Sequence, residues 1–243
     1  MGVFPQPALQ EKLQAPERVT RHRTGEIPGS QERADARLRC IIHTPQGIER
    51  RAVPQLRVTG GEARGRRLKA PGSLLIRPTA DRVREALFDI LGARVHGSRF
   101  LDAYAGTGAV GCEALSRGAT RVVFLERQRG ALRLIRDNLG LAPWSGAWEV
   151  LEADASASLR DLARAGTRFD VVFLDPPYDE PSLPEALRLA ARLLDPAGLL
   201  ILEHRSSAAA AGVDGLVPGK TYRYGDTSLS VFRPARESVT QHD

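Results

Sequence analysis

From Leu56 to Phe232 the apolar residues recur at two spacings, two and about 3.6, and before Leu56 they follow neither. Leu56 and Val58 alternate with polar neighbours, Gly60-Gly61 allow a turn, and 66–70 read as a returning strand. Val83, Ala86, Leu87, Ile90 and Leu91 then form one helical stripe that Gly92 ends. Arg77-Pro78-Thr79 leads into it, with Thr79 as the N-cap and Asp81 in the first turn. Beyond Gly97 short apolar runs alternate with amphipathic stretches. Strands are predicted at 100–103, 121–126, 148–152, 170–174 and 198–203, and helices near 109–117, 129–139, 156–165 and 183–194. Such alternation implies parallel strands joined by crossover helices, an α/β, Rossmann-like doubly wound sheet. The chain closes on a predicted hairpin, 221–224 and 229–232 around Gly225-Asp226-Thr227-Ser228. Four parts are therefore expected. They are a disordered or non-native extension over 1–54, a basic hairpin and helix over 55–97, a Rossmann-like domain over 98–235, and a short tail over 236–243.

Composition narrows the class. At 243 residues and 42% hydrophobic the chain can build a sizeable core. No stretch approaches the roughly 20 apolar residues of a membrane span. The first residues show no secretory signal, so a cytoplasmic protein with no membrane partner is expected. Cys40 and Cys112 are the only cysteines, too few for a disulfide framework or a zinc site, and no metal is expected. The charge is uneven. Residues 57–84 hold eight basic side chains against Glu62 and Asp81, so their net +6 equals that of the whole chain. A compact basic segment beside a neutral body suggests a polyanionic partner, against the alternative of a solvated basic face. The candidate contacts to RNA are Arg57, Arg64, Arg66, Arg67, Lys69 and Arg82.

The chemistry concentrates where strands are predicted to end. Asp175-Pro176-Pro177-Tyr178 follows the apolar run Val171-Val172-Phe173-Leu174. A carboxylate, two prolines and an aromatic ring make a rigid corner that can hold a planar base by its amino group; a Pro-Pro turn that merely ends a strand is the alternative. Gly106, Gly108 and Gly111 fit the G-x-G-x-x-G pattern after the first strand, and Glu126 lies at the distance of a ribose-binding acid. That pattern does not choose between NAD and another adenosine ligand. Asp102 favours a cationic ligand over NAD, because a carboxylate repels a pyrophosphate and attracts a sulfonium and an ammonium. Glu126 would then accept ribose hydroxyls, and Asp154, followed by Ala155, an adenine amine. A helix cap for Asp154 and a surface acid for Glu126 are the plainer readings.

With these motifs in place, the chain resembles class I S-adenosylmethionine-dependent methyltransferases, and more narrowly the RsmD family, which methylates guanine N2 in bacterial small-subunit rRNA. The resemblance rests on Arg57 to Leu68, Arg77 to Phe88, Leu101 to Ala119 and Asp175-Pro176-Pro177-Tyr178, and covers about Leu56 to Arg233. Tyr104 stands where Phe is common. The family implies a seven-stranded sheet with its last strand antiparallel. It implies S-adenosylmethionine against Asp102, Tyr104, Ala105, Gly106, Gly108, Glu126, Asp154 and Ala155, with Arg77 and Thr79 bordering the entrance. It implies catalysis by Asp175, Pro176, Pro177 and Tyr178, on 16S rRNA or the assembling small subunit; a monomer is expected, although the sequence does not encode the oligomeric state. Three rival readings are a DNA adenine-N6 methyltransferase, an NAD-dependent oxidoreductase and a non-catalytic RNA-binding module.

Overall fold

A computed structural model describes residues 56–71, 78–208 and 212–235; Arg77 and both terminal segments, 1–54 and 236–243, lie outside the described residues. Strands β1 (Arg99–Ala103), β2 (Arg121–Glu126), β3 (Ala147–Glu152), β4 (Phe169–Leu174), β5 (Leu194–Arg205), β6 (Leu216–Tyr224) and β7 (Thr227–Pro234) form one sheet ordered β3-β2-β1-β4-β5-β7-β6. β1 to β5 are parallel. β7 runs antiparallel to both of its neighbours. Strand order reverses between β1 and β4, and the crevice beyond their carboxyl ends is where ligands of such sheets sit.

Helices α1 (Pro78–Leu91), α2 (Ala109–Ser116) and α3 (Arg129–Leu139) cover one face; α4 (Ala155–Arg164) and α5 (Leu183–Leu193) cover the other. The central strands are apolar on both sides because both sides are buried. Phe100, Val122, Phe124, Val171 and Phe173 meet the first layer. Leu101, Val123, Leu125, Val172 and Leu174 meet the second. Among the described residues no helix is long and apolar enough to cross a membrane.

The basic hairpin is shorter in regular structure than expected. A single antiparallel bridge, Arg57 with Arg67, joins its arms, and Val58 N–H donates to Arg66 O at 3.0 Å. It holds by docking instead. Leu56, Val58, Ala63 and Leu68 enter the core, each larger side chain contributing roughly 1.5–3 kcal/mol of burial. The fully buried Glu113 of α2 accepts from Thr59 N and Gly60 N, both at 2.7 Å, and from the Thr59 hydroxyl at 2.7 Å.

Several boundaries differ from the sequence expectation. α1 begins at Pro78, which puts Thr79 inside the first turn rather than at the cap; proline suits a first helical position, where its missing N–H costs nothing. β5 starts at Leu194, across a register shift after Phe169, where Pro196 disguises the strand. The last hairpin turns on Gly225-Asp226 alone, so Thr227 and Ser228 already belong to β7, and Gly225 supplies the positive φ of 63°. Trp148 lies on the edge strand β3 and is 47% exposed.

Candidate active site

Between β1 and α2 the chain passes through Tyr104, Ala105, Gly106, Thr107 and Gly108. Backbone φ is positive at Tyr104 (66°), Gly106 (55°) and Gly108 (74°). Glycine takes such angles freely, whereas Tyr104 does so against steric resistance. The loop is over-determined by its hydrogen bonds: Ala105 N–H donates to Leu125 O at 3.0 Å, Gly108 N–H to Ala105 O at 2.7 Å, and Gly106 N–H to Glu126 at 2.9 Å. Gly111 serves packing, since a Cβ there would lie 2.1 Å from the Phe124 ring. Asn138 accepts from Lys69 N–H at 2.6 Å and donates to Thr107 O at 2.9 Å, which ties the end of the basic hairpin to this loop.

Three of the four predicted acids, Glu126, Asp154 and Asp175, line the cleft beside this loop, and Asp102 lies beneath it. Asp102 is buried and accepts from Gly111 N–H at 2.8 Å. Burial pushes its carboxyl up to about 7, the Gly111 N–H opposes this, and the charges of Asp175 and Glu126 add to it. Glu126, at the end of β2, is held by Gly106, Arg127 and Gln128 N–H groups at 2.9, 2.8 and 2.7 Å. It is therefore a built element of the loop and not a loose surface acid. Asp154 is the N-cap of α4, accepting from Ser156 and Ala157 N–H at 3.0 and 3.4 Å, and it also meets Arg127 at 3.3 Å. The cap reading is thus correct, and the carboxylate still borders the cleft. Tyr104, Gly106, Glu126, Asp154, Ala155 and Asp175 line one cleft of about 370 Å³. Ala105 and Gly108 shape the loop without lining that cleft, and Asp102 stands beneath it. The Tyr104 hydroxyl is buried and meets no hydrogen-bond geometry among the described residues, though the Ser182 hydroxyl lies close; burial and then the charge of Glu180 push it up to about 12, and Ser182 opposes them.

At the end of β4, Asp175 N–H donates to Ala103 O at 3.4 Å, which sets the corner against β1. Pro176 is buried beneath it, and Tyr178 is 49% exposed. Asp175 opens to the cleft yet is enclosed on its protein side, and desolvation raises its pKa. A second cleft of about 360 Å³ lies beyond the corner, lined by Leu183, Leu187, Glu203, Arg205 and Val213 among others. Pro176, Pro177 and Tyr178 are the common wall of both clefts. The Arg205 guanidinium sits 4.3 Å from the centroid of the Tyr178 ring.

Sequence reasoning missed Glu203 and Arg205. Glu203 ends the predicted strand 198–203, the same signal that marked the other four acids. His204 behaves as a structural residue, with its two ring nitrogens 2.9 Å from Arg205 O and 2.8 Å from the Ser230 hydroxyl. On the hairpin, Arg57, Arg64, Arg66, Arg67 and Lys69 are exposed, as is Arg82 on α1. Arg66 also donates to Leu141 O, and Lys69 pairs with Asp137 at 2.9 Å. Arg77 and the Thr79 side chain fall outside what is described.

The strand order, the antiparallel β7 and an acidic crevice at the reversal point define a class I S-adenosylmethionine-dependent methyltransferase. Within that class the chain belongs to the family described as Conserved hypothetical protein 95, whose model matches residues 56–233; this is the RsmD family. It is 36% identical over 164 residues to the ribosomal RNA small subunit methyltransferase D of Haemophilus influenzae, covering 67% of this chain and 82% of that one. Against the protein of the same name in Escherichia coli K12 it is 39% identical over 135 residues, covering 56% and 66%. A solved structure of a Thermus thermophilus protein described as hypothetical superposes with a TM-score of 0.60 at 35% identity, over 73% of this chain and 98% of that one.

Proposed function

We propose that this chain methylates the N2 amine of a guanine in small-subunit (16S) rRNA, with S-adenosylmethionine as methyl donor. The observation that carries the reading is a crowd of carboxylates, Asp102, Glu126 and Asp175, around a cleft whose far wall is the Asp175-Pro176-Pro177-Tyr178 corner. Their mutual repulsion favours a cationic ligand and disfavours the pyrophosphate of NAD. The family membership and the names of its relatives support the rRNA substrate.

The residues fit the donor. Glu126 uses three of roughly four acceptor sites on backbone N–H groups and keeps one for a ribose hydroxyl. Asp154 Oδ1 caps α4, so Oδ2 would hold an adenine amine in competition with Arg127. When bound, S-adenosylmethionine supplies an electrophilic methyl on a sulfonium.

The chain's own residues make the acceptor reactive. A guanine amine is a poor nucleophile because its lone pair is delocalised into the ring. The Asp175 carboxylate and the Pro176 carbonyl accept from its two N–H bonds and draw it toward a pyramidal geometry. The same oxygens stabilise positive charge as it develops on nitrogen. Tyr178 supplies a stacking face that orients the base, which must leave its own stack to reach the corner. The excess proton on N2 passes to Asp175 or to water. Positioning of two bound reactants supplies much of the remaining acceleration. The exposed arginines of the hairpin hold nearby phosphates without reading sequence.

The enzyme acts as a monomer in the cytoplasm and uses no metal. Residues 55–97 work as the RNA-facing unit and 98–235 as the catalytic domain. Nucleoside mass spectrometry of 16S rRNA from cells lacking the protein is the test. Loss of one N2-methylguanosine, restored by the wild-type gene, is expected; an unchanged nucleoside profile overturns the reading.

A further inference from the structure

Glu203 closes the alternation of β5 as Asp175 closes that of β4. Val171 and Phe173 on β4, and Leu199 and Ile201 on β5, face the layer of α1, α2 and α3. Val172 and Leu174, with Leu200 and Leu202, face α4 and α5. Side chains alternate along a strand, so Asp175 and Glu203 both continue the first set. Leu174 is in register with Leu202, so the next residue on each strand stands abreast of the other, about 4.8 Å apart. The charge of Asp175 is felt at Glu203, as this placement requires, and burial raises Asp175 to about 6 and Glu203 to about 8 with no donor to offset it, so Glu203 ionises at neutral pH only when a bound group supplies that donor. Asp175 lines the first cleft and Glu203 the second, and the two clefts meet at Pro176, Pro177 and Tyr178, which line both.

We propose that Glu203 selects guanine, its carboxylate accepting the ring N1–H while Asp175 and Pro176 hold the N2 amine beside it. The inference rests on the guanine-N2 reading above. Three bases carry an exocyclic amine. In adenine and cytosine the ring nitrogens beside it are bare lone pairs, which a carboxylate repels. Guanine alone sets a ring N–H next to its amine, so two neighbouring acceptors match its edge and no other. A single Asp175 would grip any of the three amines; the pair does not. Glu203 thereby separates this site from one that methylates adenine N6 with the same four-residue corner.

2-Aminopurine tests this, because it keeps the N2 amine and replaces N1–H by a lone pair. Small-subunit particles are reconstituted with rRNA carrying guanine or 2-aminopurine at the position the wild-type enzyme methylates. The wild type is expected to prefer guanine by about 100-fold or more in kcat/KM, as sites built around a substrate N–H do. Glu203→Gln, whose amide can donate to the bare N1, should narrow the preference to within about tenfold. Glu203→Asp should keep it at a lower rate. Displacement of the 2-aminopurine particle by the guanine particle, followed by 2-aminopurine fluorescence, reports relative binding without turnover, so a variant too slow to assay is judged on that ratio. A preference unchanged in Glu203→Gln, including a parallel fall on both substrates, overturns the inference and leaves the guanine-N2 reading standing. Equal use of both bases by the wild type does the same. Transfer to neither base by the wild type overturns the function itself.

Discussion

Asp175 and Asp102 are both acids at strand ends, and their surroundings give them different work. Asp175 belongs to the corner shared by the two clefts, so Asp175→Ala is expected to cut kcat on the order of 100–1000-fold with a much smaller loss of S-adenosylmethionine affinity by calorimetry. Equal loss of both would remove it from catalysis. Asp102 lies under the glycine loop, and its carboxyl rises from 3.8 to about 7. A raised acid stabilises the fold through its neutral form; that contribution is complete below 3.8 and is lost as pH rises through about 7. A cation in the cleft favours the ionised form and so has the opposite preference. S-adenosylmethionine should bind about tenfold more tightly at pH 8 than at pH 6, with proton release, and Asp102→Asn should flatten that dependence. Both aspartates were legible in the sequence because an acid after an apolar run is visible there. Glu203 carried the same mark, but its meaning needs its neighbour, and only strand order puts β5 beside β4.

The basic hairpin shows what a sequence pattern conveys about an element and what it leaves out. Alternation at Leu56 and Val58 and the Gly60-Gly61 turn announced a hairpin, and one formed. Its anchor was not announced: Glu113 sits in an apolar helical stretch and reads as a misplaced charge until Thr59, Gly60 and Arg117 are seen around it. Arg84 completes the network, donating to Arg57 O at 2.7 Å with Asp81 3.0 Å away. Glu113→Ala strands these donors in the interior and should cost about 3–5 kcal/mol by denaturant titration. Hydrogen exchange at the Thr59 and Gly60 amides should rise more than in the central strands. The arginines on the outer surface belong to a different argument. Replacing Arg64, Arg66 and Arg67 by Ala should weaken RNA binding and flatten its dependence on log salt by roughly 0.7–0.9 per lost phosphate contact. Unchanged binding at every ionic strength would take the hairpin out of the interface.

Across the chain as a whole, the family match begins at residue 56, close to where regular spacing begins. A variant lacking residues 1–54 is therefore expected to keep its melting temperature and its transfer rate on small-subunit particles, measured against the full chain. The doubly wound class was readable in one dimension because burial on both sides forces continuous apolar strands and one-sided helices, whatever their order. The glycine loop and the Pro-Pro corner were readable because backbone strain and ring closure restrict which residues can stand there. Strand order is a different kind of fact. It arises when two faces of one sheet must be covered at once by helices from distant parts of the chain, and no local period encodes it. That order brought Asp102, Asp175 and Glu203 onto three adjacent strands, made the corner common to two clefts, and placed Arg205 over Tyr178. Residue chemistry was present in the string; the distances that turn it into an electrostatic field exist only once the sheet has closed around it.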